Sequence, residues 1–214
     1  KKSTNKIINR FNGSGLKVIS PLVDITNFIL IDRCRPLHVF DSDKVEGDIE
    51  IRYSKQGEIF EGLDEKTYTL DDGMIVICDK KKIISLAGIL GGKNSSCDET
   101  TKNVLIESAY FCPKKIAMTG RKLNILSDAR YRFERGIDPN STIDGIELAT
   151  EMIIKTCGGK TGSIIGDSSG PTKINNIKID LNFFEEILGC SVDKKKVEKI
   201  LINIGCSIKI KNDE

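Results

Sequence analysis

Met74-Ile-Val-Ile-Cys-Asp-Lys-Lys-Lys-Ile-Ile-Ser-Leu-Ala-Gly-Ile-Leu-Gly-Gly92 decides the fold. Two short apolar runs rich in β-branched residues, Met74–Cys78 and Ile83–Ala87, flank the polar turn Asp79-Lys-Lys. Each is too short for a helix, and the turn chemistry between them predicts adjacent antiparallel strands. Outward on both sides the same texture recurs at Ile49–Arg52, Lys66–Leu70 and Val104–Ala109, broken by Leu63-Asp-Glu and Asp71-Asp-Gly. Helical spacing frames this block. Ile7, Ile8 and Phe11 follow Ser3-Thr4, and Leu22, Ile25, Phe28 and Ile29 predict a helix over 21–33. Pro113 sits at a helix start that runs to Leu123. A strand is expected around Arg130–Phe133. A long helix from Asp138-Pro139 carries Ile146, Ala149, Ile153 and Ile154 on one face and stops at Gly158-Gly159. The pattern is α+β: a mixed, mostly antiparallel sheet core flanked by helices.

A polar stretch with Gly166, Gly170 and Pro171 reads as a linker. It divides a domain over 1–170 from residues 171–214, where strands are expected at Ile174–Leu181 and Cys206–Lys211 and helices at Phe183–Leu188 and Asp193–Ile204. About 43 residues make a thin core, so this second piece is expected to be the start of an incomplete module. The chain opens Lys-Lys without Met, as an excised fragment would.

Composition narrows the chemistry. The 214 residues carry 33 Lys+Arg against 31 Asp+Glu, a net charge of +2, which opposes a strongly basic nucleic-acid binder. Seven cysteines form no CxxC pair and are odd in number, so a reducing, cytoplasmic setting without disulfides is expected. Scattered thiols and a single histidine give no metal-ligand spacing. No apolar run reaches the roughly 20 residues of a membrane span. Any role for imidazole must fall on His38.

Four places stand out. His38 lies in Pro36-Leu-His-Val-Phe-Asp41, where it is either a satisfied structural histidine or part of a site. Leu86-Ala-Gly-Ile-Leu-Gly-Gly92 either forms a tight turn or exposes backbone N–H donors to a ligand, and it matches no nucleotide-phosphate loop. Glu107 is the one carboxylate in the apolar run Val104–Ala109. It faces solvent, pairs with Arg132 or Arg135, or serves as an acceptor in a pocket. The Arg-rich run Ser127–Gly136 is a solvated ion-paired face or a phosphate-binding strip.

Taken together and in order, Val23-Asp-Ile-Thr-Asn-Phe28, Pro36-Leu-His-Val-Phe-Asp41, Leu86–Gly92, Val104-Leu-Ile-Glu-Ser-Ala-Tyr-Phe111 and Arg132-Phe-Glu-Arg-Gly-Ile-Asp-Pro139 resemble the editing region of bacterial phenylalanyl-tRNA synthetase β chains. The resemblance runs to about residue 170; beyond it, the chain resembles the opening of a winged-helix-like module. It implies hydrolysis of tyrosine wrongly esterified to phenylalanine tRNA. Glu107, aided by the Gly88 N–H, reads the tyrosine hydroxyl, and His38 lies beside the scissile ester. Thr26 and Asn27 line the pocket, and Gly91, Ser127 and Ala129 keep it open. Ser127 stands where a Thr is expected, and Arg130 where a small polar residue would be, so Arg130 is expected to alter how the tRNA end approaches. The resemblance also implies a synthetase α subunit in an α2β2 assembly and the tRNA acceptor end as partners. Editing needs no cofactor, ATP and magnesium belonging to the complete enzyme. A scaffold module without activity and an RNA-binding module are the competing expectations.

Overall fold

The computed structural model describes residues 1–166 and 176–209. The chain divides into two compact units, Lys1–Pro171 and Thr172–Glu214.

In the first unit, β5 (Ile75–Cys78) and β6 (Ile83–Leu86) form the expected hairpin, with Val76 opposite Leu86 and Ile77 opposite Ser85. Asp79 Oδ1 accepts from the N–H groups of Lys81 and Lys82, which closes the turn. With β2 (Glu50–Tyr53) and β7 (Leu90–Gly91) the sheet order is β2-β5-β6-β7. A separate ribbon pairs β3 (Ile59–Glu61) with β4 (Thr67–Thr69), and a third pairs β1 (His38–Asp41) with β8 (Val104–Glu107). Every described ladder is antiparallel. Strands β3 and β7 escape a periodicity reading because two or three residues hold no period.

Helices fill the other half. Helices α1 (Asn5–Gly13), α2 (Pro21–Asp32) and α5 (Thr142–Cys157) bury Ile7, Phe11, Ile25, Phe28, Ile29, Ala149 and Ile153 together. Thr4 precedes α1 without capping it by its side chain. Ser3 donates instead to Asp24 of α2, a fully buried carboxylate that also accepts from Ile19 N–H. Helix α3 (Pro113–Lys122) begins at Pro113 as its sequence signals.

The strand expected at Arg130–Phe133 is a helix instead, α4 (Asp128–Phe133). Ser127 Oγ accepts from Arg130 N–H as its N-cap, and Arg132 reaches back to Asp128 four residues earlier. The second unit holds α6 (Leu181–Leu188) and α7 (Lys194–Asn203), each capped by an Asp side chain. Residues 176–180 and 206–209 form no strand, and the rest of those two expected strands, with most of the linker, lies outside the described residues.

One side chain ties the halves of the first unit. Arg35 is 1% exposed. Its guanidinium donates to Ala109 O at 2.9 Å, to Ser141 Oγ and to Asp138 O, clamping the entry of β1 to the exit of β8 and the start of α5. Burial lowers its pKa, and Asp138 works in the opposite direction. Arg35→Met leaves those buried acceptors unpaired and should lower unfolding stability by roughly 2–4 kcal/mol in a denaturant titration. Arg33→Met, at a side chain 66% exposed, should shift it by less than about 0.5 kcal/mol. Equal, small effects would show that the clamp contributes nothing.

Candidate functional site

The β1–β8 register places His38 directly opposite Glu107. Directly opposed residues of an antiparallel pair project from the same face with Cβ atoms about 5 Å apart. Two residues 69 positions apart in sequence therefore share one small site. The edge of Phe40 packs against the imidazole, with ring centroids 4.5 Å apart at 77°.

A cavity of about 130 Å³ opens over this pair. That is close to the roughly 150 Å³ that holds a benzene ring in an engineered protein cavity. Pro36 and Leu37 form one wall, and Ser85 with the Gly88–Gly91 turn forms another. Ala129 and Phe133, four residues apart on α4, close the third. A larger, polar groove of about 420 Å³ elsewhere is lined by mixed charges such as Arg52, Glu58 and Lys80. Arg52 and Glu58 already satisfy each other there.

Two glycines shape the cavity. Gly88 sits in the left-handed region at φ +67°, and a Cβ there would come within 2.8 Å of Phe111. A Cβ on Gly91 would lie 2.7 Å from His38 Nε2, so only glycine lets that strand meet the imidazole edge-on.

The polar inventory is small: Ser85 Oγ donates to Leu90 O, which leaves His38 and Glu107. His38 Nε2 is buried without a hydrogen-bond partner. Burial lowers the His38 pKa to about 4 and raises that of Glu107 to about 7. The imidazole is therefore neutral at pH 7, while Glu107 titrates near neutrality. The pairing of Glu107 with Arg132 or Arg135 is not formed: Arg132 pairs with Asp128, and Arg135 with Glu134 while stacking on Tyr131. Among the described residues the Glu107 carboxyl makes no hydrogen bond, and neither does the Gly88 N–H. A buried polar atom such as His38 Nε2 is costly unless something completes it.

Of the residues singled out from sequence, the cavity brings together His38, Glu107, Gly88, Gly91 and Ala129. Thr26, Asn27 and Ser127 are not among its lining residues. Thr26 is buried on α2, with its hydroxyl bonded to Val23 O. Arg130 does not face an approaching RNA either. It is 7% exposed, lies across Gly120 and is held by Glu134 and Ile125 O. Ser85, 3% exposed and in the cavity wall, was missed. Its signal matches that of Glu107, one polar residue interrupting an apolar strand. No group of three or more potential metal ligands occurs among the described residues. All seven cysteines are free, and no described helix is long and apolar enough to cross a membrane.

Antiparallel ribbons, packed helices and a ring-sized cavity over a facing His/Glu pair define a small α+β domain. Comparison with known proteins assigns it: the chain belongs to the B3/4 domain family, which matches residues 1–158. It is 48% identical over 200 residues to the phenylalanine–tRNA ligase β subunit of Paramagnetospirillum magneticum, covering 94% of this chain and 25% of that one. The corresponding subunit of Nitrobacter winogradskyi is 45% identical over 196 residues, covering 92% of this chain and 24% of that one. The chain thus spans about a quarter of the length of these relatives. Among solved structures, an N-terminal fragment of the Pyrococcus horikoshii phenylalanyl-tRNA synthetase β subunit aligns at 13% identity with a TM-score of 0.45, covering 89% of this chain and 57% of that one.

The Glu107 environment has a thermodynamic signature. Folded Glu107 keeps its proton up to about pH 7, against 4.5 for an ordinary Glu, so stability falls as pH rises through that window. Glu107→Gln removes the loss. It should leave stability unchanged near pH 4 and raise it by about 1–3 kcal/mol at pH 8, read by denaturant titration at both pH values. Equal stability of the two forms at both would show a solvated carboxyl.

Proposed function

We propose that this chain is the editing region of a phenylalanyl-tRNA synthetase β chain and hydrolyses tyrosine wrongly esterified to phenylalanine tRNA. The observation that carries the reading is the facing pair His38 and Glu107 in a ring-sized cavity, with His38 Nε2 buried without a partner and the Glu107 carboxyl pushed up by desolvation. The relatives supply the context, β subunits of phenylalanine–tRNA ligases.

The physical problem explains the design. An apolar pocket made for phenylalanine rejects an isostere that adds a hydroxyl by only about 10²-fold. A second site can demand the hydroxyl instead. The phenol O–H donates to Glu107, and its oxygen accepts from the Gly88 N–H. A phenylalanyl group leaves both unpaired, an asymmetry that reaches about 10⁴-fold in sites of this kind.

With the ring held, the ester sits beside His38. A water oxygen attacks the ester carbonyl carbon. The carbon–oxygen bond to the terminal ribose breaks, and the proton passes to the departing ribose oxygen, leaving free tyrosine and uncharged tRNA. The ester is already activated, so positioning the water supplies much of the rate. His38, neutral at pH 7 and a weak base, orients that water by hydrogen bonding, while a ribose hydroxyl assists the proton transfer. N–H groups of the glycine turn stabilise the developing oxyanion. The α subunit carries amino-acid activation with ATP and magnesium, in an α2β2 assembly located in the cytoplasm.

The test is deacylation of tyrosyl- and phenylalanyl-esterified phenylalanine tRNA by the assembled synthetase. The unmodified enzyme should clear the tyrosyl ester selectively. Glu107→Ala should reduce that preference by at least about 10²-fold. His38→Ala should lower the rate on the tyrosyl ester about 10-fold or more while keeping the preference. An unmodified enzyme that leaves both esters intact would instead favour a scaffold role.

A further inference from the structure

Ser127 lies next to the cavity without lining it, and its hydroxyl is already fully engaged. Ser127 Oγ donates to Ile89 O at 2.6 Å and accepts from Arg130 N–H at 3.1 Å. The first bond crosses 38 residues and lands on the glycine turn. The second caps α4, the helix that presents Ala129 and Phe133 to the cavity.

The turn is also held by the β6–β7 ladder, by Ser85 Oγ donating to Leu90 O, and by two backbone bonds. Ala87 N–H donates to Ile75 O, and Ile89 N–H donates to Leu86 O across Gly88, whose φ of +67° suits a tight turn. Ser127 supplies a further anchor, the one that comes from α4. Among the described residues the Gly88 N–H makes no hydrogen bond, and Gly88 lines the same cavity as Glu107.

From these contacts we infer that Ser127 is a positioning residue: its bond to the Ile89 carbonyl holds the turn that aims the Gly88 N–H at the substrate's polar group, and the hydroxyl itself touches no substrate. This rests on the editing reading above. A short hydrogen bond at the start of α4 thus links the two cavity walls, beside Phe133 of the same helix, which lies close to Gly88.

Capping and tethering can be separated by substitution, because they use opposite faces of the hydroxyl. Ser127→Thr keeps donor and acceptor. Ser127→Asp, ionised at pH 7, keeps the cap acceptor but has no proton to donate to Ile89 O. Ser127→Ala loses both. The assembled synthetase would be assayed for the ratio of kcat/KM on tyrosyl against phenylalanyl esters of phenylalanine tRNA. Amide hydrogen exchange would be followed over residues 86–91. Positioning predicts a ratio near wild type for Thr and a fall of about 10-fold or more for both Asp and Ala, about the loss of one hydrogen bond's worth of discrimination. Exchange in the turn should quicken in Asp and Ala and stay slow in Thr. An Asp variant with wild-type ratio and wild-type exchange would reduce Ser127 to a helix cap and overturn the proposal. Faster exchange without any change in ratio would overturn it equally. If the unmodified enzyme shows no tyrosyl preference while the exchange pattern follows the prediction, the editing reading fails, and the substrate role given to the turn fails with it.

Discussion

The site exists because of a single strand register. With His38 opposite Glu107, the only imidazole of the chain and a desolvated carboxylate face one cavity. A slip of one residue between β1 and β8 would turn one of them to the other face of the ribbon. A two-stranded ribbon is weak by itself, so the register needs holding from outside. Arg35 supplies that hold just beyond the ladder, through Ala109 O on the partner chain segment and through Ser141 and Asp138 at the start of α5. Ser108 adds a bond to Thr142 O from the β8 side. The helical half of the unit is in this sense the frame that keeps a fragile ribbon in register.

Within that frame the cavity is left electrostatically incomplete. A carboxyl raised to about pKa 7 and an imidazole lowered to about 4 both record missing solvent, and burial is the cause of each. Neither neutralises the other through a hydrogen bond, although they share a face. Evolution of a stable core alone would fill such a place with apolar side chains, which are often neutral or stabilising in place of buried charges. Keeping the pair lowers stability at both ends of the pH range, and a substrate that completes it recovers that loss. In the proposed editing function, selectivity for a hydroxyl over its absence rests on the same incompleteness, since a hydroxylated ring would satisfy groups that a bare ring leaves unpaired.

Much of this was legible in the chain. The Met74–Gly92 stretch forecast its hairpin because β-branched runs around an Asp-Lys-Lys turn admit few other structures. Glu107 announced itself as a charge inside an apolar strand. Ser85 carried the same signal in weaker form and passed unnoticed, a hydroxyl being easily accommodated anywhere. Helix α4 was misread as a strand because alternating Arg and aromatic residues mimic a two-residue period over so short a span. The Ser127 cap and the i,i+4 charge pairs decide for the helix. Arg35 was invisible in principle: its partners Ala109, Asp138 and Ser141 lie 74 to 106 residues away. No local pattern marks a side chain whose role is set wholly by tertiary contacts. The same holds for Arg130, whose burial across Gly120 removes it from any surface.

The most direct measurement is the titration of the Glu107 carboxyl carbon by NMR, free and with a non-hydrolysable 3′-tyrosylamido adenosine. A phenol that donates to the carboxylate favours its charged form, so the pKa should fall from about 7 on binding the tyrosyl analogue. The phenylalanyl analogue should leave it unchanged or push it higher by further desolvation. A Glu107 pKa that moves identically with both analogues would contradict the assignment of Glu107 as the group that reads the hydroxyl.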